Sequence, residues 1–227
     1  MVSASLRRAL GPAIVILLLV SLSACRYIGA GGPATSRSDS VTVLWAGAVT
    51  DSSARVVARY EDGADAQVRL AVDRSDDWSN PTVLDGTQPR TNEDVRHFRL
   101  TDLSPNTTYH YALEVNGRVD PGYSGHFRTF ADGPFSFRVA LGACAVTGSN
   151  HPVFRTIRQA QPDLFLHMGD LHYEDIVATN PRPFRRAYRT VHGAQRQAAL
   201  FRSTALAYVW DDHDYGPNNS SRRAPGQ

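Results

Sequence analysis

The sequence predicts a β-sandwich followed by an α/β domain, and two changes of pattern support this fold class. Between residues 41 and 131, short segments of alternating apolar and polar residues are separated by turn dipeptides such as Asn116-Gly117. From residue 134 to residue 227, apolar strand segments alternate with helical patterns, which favours a parallel sheet with helical crossovers. The turn-forming segment Ala-Asp-Gly-Pro at 131–134 marks the boundary.

The first folded half contains six candidate strands. They are Val41–Ala46, Ala54–Tyr60, Ala66–Val72, Val95–Leu100, Thr108–Val115 and Tyr123–Phe130. Evenly spaced short strands are typical of a small sandwich. The segment 103–111 resembles the corresponding loop and strand of fibronectin type III domains, where a tyrosine anchors its hydroxyl on nearby backbone, and Tyr109 is the candidate. The histidines of the first half lie singly on separate predicted strands, so we interpret this fibronectin type III-like half as an accessory module.

The second half predicts strands at Phe135–Leu141, Asp163–Met168 and Ala205–Trp210. A helix capped by Asn150 is expected through Gln159. A longer helix is expected after Pro183, with apolar residues on one side that include Phe184, Tyr188, Val191 and Ala198. Another face of this helix carries Arg182, Arg185, Arg186 and Arg189. This face is either a solvated surface or a patch that steers the substrate.

Residues with metal-ligand chemistry follow each of these three strands. Cys144 follows the first strand, Asp170 and Tyr173 follow the second, and Asp212 and His213 follow the third. Because parallel strands place their carboxyl ends at one edge of the sheet, these side chains are expected to converge there. Phenolate and carboxylate oxygens suit a trivalent ion such as iron, and a thiolate is a softer, strongly donating ligand. Asp170 lies between the other two motifs, and its two oxygens could bridge two ions.

Three motifs carry a family resemblance. The segment Gly169-Asp170-Leu171-His172-Tyr173 resembles the Gly-Asp-x-x-Tyr motif of purple acid phosphatases and of the alkaline phosphatase D (PhoD-like) family, both calcineurin-like metallophosphoesterases. The segment 142–144, Gly-Ala-Cys, is similar to the Gly-Ser-Cys turn of the PhoD-like group. The segment 210–214, Trp-Asp-Asp-His-Asp, resembles that group's version of the Gly-Asn-His-Asp/Glu motif, and the Tyr-Gly-Pro-Asn-Asn that follows extends the match.

The resemblance implies a phosphoric ester hydrolase that acts on phosphomonoesters or phosphodiesters. Cys144 and Tyr173 would hold Fe³⁺, Asp170 would bridge, and Asp212 would bind a second divalent ion, Ca²⁺ in the better-known members. His213 would contact the scissile phosphate and could donate a proton to the leaving oxygen. The sequence leaves open whether Asp211 or Asp212 is the ligand.

The N-terminus has the pattern of an export signal. Arg7 and Arg8 precede an apolar stretch of residues 9–22, which is shorter than the about 20 apolar residues needed to span a bilayer. Leu-Ser-Ala-Cys at 22–25 resembles the bacterial lipoprotein signal, in which Cys25 would be lipidated. Residues 26–40 are rich in Gly, Ser and Pro and predict a flexible tether. We therefore expect an exported protein held at the membrane by a lipid anchor only. An uncleaved anchor helix, an ordinary signal with a chance cysteine, or a Cys25–Cys144 disulfide are the alternatives.

Composition narrows the possible partners. The formal net charge of +2 is too small to predict nucleic-acid binding, and no basic tract interleaved with aromatic residues is present. Members of the resembling family carry further His and Asp ligands downstream of the segment that matches 210–214, and a second sheet that covers the first. We therefore expect the chain to correspond to the N-terminal part of such a protein and to expose apolar surface. The competing functions are a non-catalytic surface lipoprotein that binds a partner through its sandwich and a phospholipase D-like lipid hydrolase.

Overall fold

The computed structural model describes residues 41–61, 66–88 and 95–224. The predicted signal, Cys25 and the tether lie outside these ranges. None of the helices in the described ranges is long and apolar enough to cross a membrane.

Ten strands within the described ranges form two sheets. The strands are β1 (Val41–Gly47), β2 (Ala54–Tyr60), β3 (Val68–Asp73), β4 (Thr82–Asp85), β5 (Val95–Leu100), β6 (Thr108–Val115), β7 (Arg118–Arg128), β8 (Val139–Gly142), β9 (Leu164–His167) and β10 (Ala205–Tyr208). The larger sheet has the order β5-β2-β1-β10-β9-β8, and the smaller sheet has the order β4-β3-β6-β7. β8, β9 and β10 pair in parallel, as predicted.

The larger sheet runs across the predicted domain boundary. β1 pairs with β10 in parallel at Gly47 and Leu206. A Cβ atom on Gly47 would lie 2.5 Å from the Leu206 carbonyl oxygen and 2.8 Å from the Trp45 ring, so only glycine permits this close approach. The boundary at 131–134 stays a prediction, and strands from both sides of it share one sheet.

The first core lies between the two sheets. It contains Leu44 and Phe98 from one sheet and Leu70, Tyr111 and Phe127 from the other, all at most 3% exposed. The alternation of strand residues accounts for this core, because every second side chain of a strand points to the same face. The hydroxyl of the buried Tyr111 donates to the Arg202 carbonyl at 2.9 Å and so joins this core to the second half of the chain.

The predicted tyrosine anchor in the first half is confirmed. The Tyr109 hydroxyl accepts a hydrogen bond from the Ser104 main-chain N–H at 2.9 Å. The ring of Tyr109 is 7% exposed and stacks on Phe127 at 5.9 Å. This contact fixes the loop that leads into β6.

The second core lies between the parallel strands and the helices. The helices are α1 (Val153–Gln159), α2 (Arg182–Gly193), α3 (Gln195–Arg202) and α4 (Asp212–Tyr215). Phe165 of β9 and Leu206 of β10 pack with Phe154 of α1, Val191 of α2 and Phe201 of α3. Helical crossovers cover this face of the sheet, which explains the parallel pairing.

The opposite side of the parallel strands exposes apolar side chains. Val139 and Leu141 of the edge strand β8 are 41% and 60% exposed, and Met168 and Val209 are also exposed. An exposed apolar surface is expected from the sequence, and these side chains form one.

Several predicted elements differ from the structure. β8 begins at Val139 rather than Phe135, because the rings of Phe135 and Phe137 pack on Phe130 instead of joining the sheet. β7 begins at Arg118, earlier than predicted, and the short strand β4 was not predicted because its four residues show no apolar alternation.

The helix predictions also need correction. Asn150 does not cap α1, which has Pro152 at its N-cap; the Asn150 carboxamide accepts from the Arg196 main-chain N–H instead. The single long helix predicted after Pro183 is two helices, because Gly193 ends α2 and Ala194 is extended. Ala198 therefore lies on a different helix from Tyr188.

The partly buried histidine His192 predicts acid sensitivity of the fold. Burial and the nearby His167 lower the pKa of His192 to about 4. Because an unfolded histidine titrates near ~6.5, the unfolded state binds more protons between these two values, and the free energy of unfolding should fall as the pH falls through this window. Urea denaturation at pH 7 and pH 5 should show that His192→Phe loses about 2 kcal/mol less than the wild type over that interval. An equal loss in both proteins would contradict this assignment.

Candidate metal centre

Main-chain hydrogen bonds join the loops that follow β8 and β9. The N–H of Cys144 donates to the Gly169 carbonyl at 3.2 Å, and the N–H of Ala145 donates to the Asp170 carbonyl at 3.3 Å. These bonds continue the parallel pairing past the strand ends, so Cys144 and Asp170 lie side by side.

The backbone in these loops is strained. Cys144 and Asp170 have φ values of 60° and 54°, in the left-handed region that side-chain-bearing residues seldom adopt. Each such residue costs on the order of 1 kcal/mol, which the surrounding contacts must offset. Gly169 has φ 101°, and a Cβ atom there would lie 2.5 Å from the Cβ of Asp211. The glycine of the Gly-Asp motif therefore permits the close approach of the β9 and β10 loops.

The carboxylate of Asp214 holds these two loops together. It accepts hydrogen bonds from the main-chain N–H groups of Asp170 at 2.7 Å, Leu171 at 2.9 Å and Asp211 at 3.0 Å. The Tyr188 hydroxyl on α2 also lies 3.4 Å from it. Asp214 is 2% exposed. Asp214 therefore supplies a hydrogen-bond acceptor for main-chain N–H groups of both loops.

The side chains of Cys144 and Tyr173 converge on Asp170. The Tyr173 hydroxyl donates to Asp170 Oδ2 at 2.9 Å, and Cys144 Sγ lies 3.6 Å from the same oxygen. Cys144 forms no disulfide within the described ranges. The other oxygen of Asp170, Oδ1, is buried and has no hydrogen-bond partner among the described residues.

Asp212 and His213 complete the cluster. One potential ligand atom from each of Asp170, Asp212 and His213 lies within 4.8 Å of the others. The ring of His213 packs on Tyr173 with 4.3 Å between centroids, and its Nδ1 lies 3.0 Å from Asp175 Oδ1. The Tyr173 ring thus packs on the imidazole, whereas Nδ1 is buried beside Asp175 without a hydrogen bond among the described residues.

The structure distinguishes the two adjacent aspartates. The Asp211 carboxylate caps α4, accepting from the Asp212 N–H at 2.9 Å in a reciprocal pair with Asp214. Asp212 contributes to the cluster with Asp170 and His213, whereas Asp211 does not. The geometry therefore favours Asp212 as the ligand.

The environment of Tyr173 favours its neutral form in the metal-free protein. The Cys144 thiol beside its hydroxyl, partial desolvation and the hydrogen bond to Asp170 raise the pKa of Tyr173. A bound cation would reverse this preference, since it stabilises the phenolate.

The donor set fits metal ions. Asp170 presents a buried oxygen without a partner, next to a phenol, a thiol, a second carboxylate and an imidazole. Oxygen donors, an imidazole and a thiol in one cluster are groups that bind metal ions in proteins. All five predicted site residues, Cys144, Asp170, Tyr173, Asp212 and His213, lie in this cluster, and their individual roles stay predictions.

Sequence reasoning missed two residues of the site. Asp175 lies against His213, and Asp214 holds the loops. Asp214 belongs to the 210–214 motif, so the sequence places it next to the candidate ligands. Its three main-chain hydrogen-bond partners depend on loop geometry, which the sequence does not show. Asp175 has φ 45° and follows no strand end, so no sequence pattern identifies it.

The fold and the site together define an α/β protein, joined to a two-sheet β core, with a candidate metal centre at the carboxyl edge of its parallel strands. A solved structure of PhoD superposes with a TM-score of 0.68 and 16% sequence identity, covering 87% of this chain and 42% of that chain. At this identity the similarity shows the fold.

Two further comparisons concern parts of the chain. Purple acid phosphatase 15 of Arabidopsis thaliana is 31% identical over 107 residues, which are 45% of this chain and 20% of that protein. The sensor domain of the anti-sigma factor RsgI4 in Pseudobacteroides cellulosolvens has 19% identity to this chain and a TM-score of 0.35. The match covers 44% of this chain and 97% of that chain and is too weak to indicate a function. No protein-family model matches the chain.

The predicted resemblance to the N-terminal part of PhoD-like metallophosphoesterases is confirmed by the PhoD and purple acid phosphatase matches. The chain spans less than half the length of PhoD and a fifth of the length of the plant phosphatase.

The contacts of Asp214 predict that it is a main stabilising residue of the site. Asp214→Ala leaves three main-chain N–H groups without their acceptor, and each such loss costs about 1–3 kcal/mol, so unfolding free energy should drop by about 3 kcal/mol or more. Asp211→Ala, which removes a helix cap, should cost about 1 kcal/mol. Urea denaturation measures both variants. Similar losses in the two would show that the three bonds to Asp214 do not hold the loops.

Proposed function

We propose that the protein is an exported, lipid-anchored, metal-dependent phosphoric ester hydrolase of the alkaline phosphatase D type. The observation that carries the proposal is the convergence on Asp170 of Tyr173, at 2.9 Å, and Cys144, at 3.6 Å. The similarities to PhoD and to a purple acid phosphatase support a phosphate ester as the substrate class.

In this proposal Cys144 and Tyr173 would hold Fe³⁺, Asp170 would serve as a ligand to both ions, and Asp212 would bind the second, divalent ion, Ca²⁺. Bound ions would supply Lewis acidity, which neutralises charge on a phosphate ester and activates water for in-line attack. The unpartnered Oδ1 of Asp170 supports the bridging role, because its Oδ2 already lies beside the phenol and the thiol. The strained backbone at Cys144 and Asp170 aims both side chains at the same point.

His213 is the proposed proton donor. Its Nδ1 lies 3.0 Å from Asp175, whose carboxylate also accepts from the Asn218 N–H at 2.9 Å. In this scheme Asp175 lies beside Nδ1, which leaves Nε2 to face the substrate. Nε2 would then contact the phosphate and pass a proton to the leaving oxygen. Asp175 acts as a positioning residue in this scheme.

The remaining parts of the proposal concern location and the first half of the chain. The Leu-Ser-Ala-Cys segment at 22–25 supports lipidation of Cys25 and attachment outside the cytoplasm. The strand order of the two sheets and the Tyr109 anchor support a fibronectin type III-like sandwich, which would hold the neighbouring metal centre in place.

Substitution of Asp170 tests the bridging role. Asp170→Ala should abolish both metal retention and hydrolysis of p-nitrophenyl phosphate and bis(p-nitrophenyl) phosphate. Asp170→Asn provides a variant that tolerates the left-handed backbone, and it should lose activity while remaining folded. Metal analysis and steady-state rates on the full chain, with Asp211→Ala as the matched control, measure the effect. Near-wild-type hydrolysis by either Asp170 variant would end the bridging assignment.

The colour of the protein separates the enzyme from a non-catalytic lipoprotein. Iron bound by Tyr173 should give a purple or brown charge-transfer absorption, which Tyr173→Phe should shift or remove while thiolate absorption from Cys144 remains. Absorption spectra and iron content of the two proteins provide the measurement. A colourless, metal-free wild type after reconstitution with iron would favour the binding module instead.

A further inference from the structure

A cleft separate from the candidate metal ligands lies beside α2. It has a volume of about 570 Å³ and is lined on one side by Arg182, Arg185 and Arg189 of α2. Trp45, Tyr208 and Trp210 provide aromatic lining from β1 and the end of β10. The cleft thus combines guanidinium groups with aromatic rings on the sheet face opposite the sandwich core.

The arginines of the cleft form a row with free charge. Their spacing of three and four residues places them on one face of α2, along about 10 Å of helix. None of the three guanidinium groups has a hydrogen bond or an ion pair with another residue in the described ranges. Arg185 is partly buried, whereas Arg182 and Arg189 are exposed. Three arginine charges along one wall, unpaired among the described residues, attract an anion.

The aromatic lining offers flat surface for stacking. Trp210 is 62% exposed and Tyr208 is 38% exposed, which are high values for large aromatic side chains beside a buried strand. Trp45 is held in place because its ring stacks on His192 and meets the edge of Tyr208, with centroids 6.3 Å and 6.0 Å away. Exposed rings on a fixed support bind planar groups by stacking.

The cleft reaches the loop that carries the candidate ligands. Trp210 directly precedes Asp211, and Tyr188 both lines the cleft and lies 3.4 Å from the Asp214 carboxylate. A smaller cavity of about 290 Å³ is lined by Asp214 and shares Arg185, Tyr188 and Trp210 with the cleft. A substrate whose phosphate lies at the metal centre could therefore extend along α2.

We propose that this cleft binds the non-reacting part of the substrate, and that this part is a planar aromatic ring with a negative charge, as in a nucleotide. The inference rests on the proposed phosphoesterase function and narrows its substrate class. A polyol phosphate would use the arginine row and leave the exposed rings unused. A neutral aromatic ligand would leave the arginine charges uncompensated. An aromatic phosphate satisfies both walls of the cleft.

Binding to the chelator-treated, metal-free full chain tests the proposal independently of catalysis. Calorimetric titrations use adenosine 5′-monophosphate, ribose 5-phosphate, which lacks the ring, and adenosine, which lacks the charge. Because the nucleotide makes both the stacking contact and the charge contact, and each fragment makes only one, the nucleotide should bind about tenfold or more tightly than either fragment. Phenyl phosphate distinguishes the source of the ring: comparable affinity assigns the cleft to small aryl phosphates, weaker affinity assigns it to nucleotides, and both outcomes support the proposal.

Variants locate the binding in the cleft. Trp210→Ala and the double variant Arg185→Gln/Arg189→Gln should each weaken nucleotide binding about tenfold or more. Arg186→Gln is the matched control, because Arg186 is an exposed arginine of the same helix that does not line the cleft, and it should leave the affinity unchanged. Circular dichroism verifies that each variant is folded.

Three results would overturn the proposal: no nucleotide binding, equal affinity for ribose 5-phosphate, or an equal effect of Arg186→Gln. The last result would support the solvated surface that the sequence left open for these arginines. Selective nucleotide binding by a wild type that hydrolyses no phosphate ester would refute the proposed function alone. Hydrolysis without selective binding would refute the assignment of the cleft alone.

Discussion

The arrangement of the candidate metal centre depends on one buried carboxylate. Asp214 accepts three main-chain hydrogen bonds, two from the loop after β9 and one from the loop after β10. Without this acceptor, the parallel strands alone would not hold Asp170 in a left-handed conformation beside Asp212. Asp214 also contacts the Tyr188 hydroxyl of α2, and Tyr188 lines the cleft beside this helix. The cleft and the ligand cluster therefore share Asp214 as a support.

The parts of the fold that repeat over several residues could be predicted from the sequence. Three strands, among them Thr108–Val115, have the predicted bounds, because alternation and flanking turns fix them locally. The division of one predicted helix at Gly193 and the late start of β8 depend on packing that no local pattern records. The pairing of β1 with β10 joins residues far apart in the sequence and rests on the lack of a side chain at Gly47.

The candidate site could be predicted further than the fold details, since strand ends carry chemical information. Cys144, Asp170 and Asp212 each follow a parallel strand, and topology alone brings such positions to one edge. The supporting residues could not be found in the same way. Asp175 reaches His213 from an irregular segment, and the choice between Asp211 and Asp212 depends on which carboxylate caps a four-residue helix.

The continuity of the larger sheet restricts how this protein can evolve. Gly47 on β1 touches β10 directly, and the Tyr111 hydroxyl binds the last turn of α3, so the β-rich half has two fitted attachments to the half with the ligands. A beads-on-a-string protein can exchange one module for another through recombination at a linker. A β-rich half taken from another protein would fit here only if it had a glycine at the position of Gly47 and a hydroxyl at the position of Tyr111. The two halves are therefore expected to be inherited together.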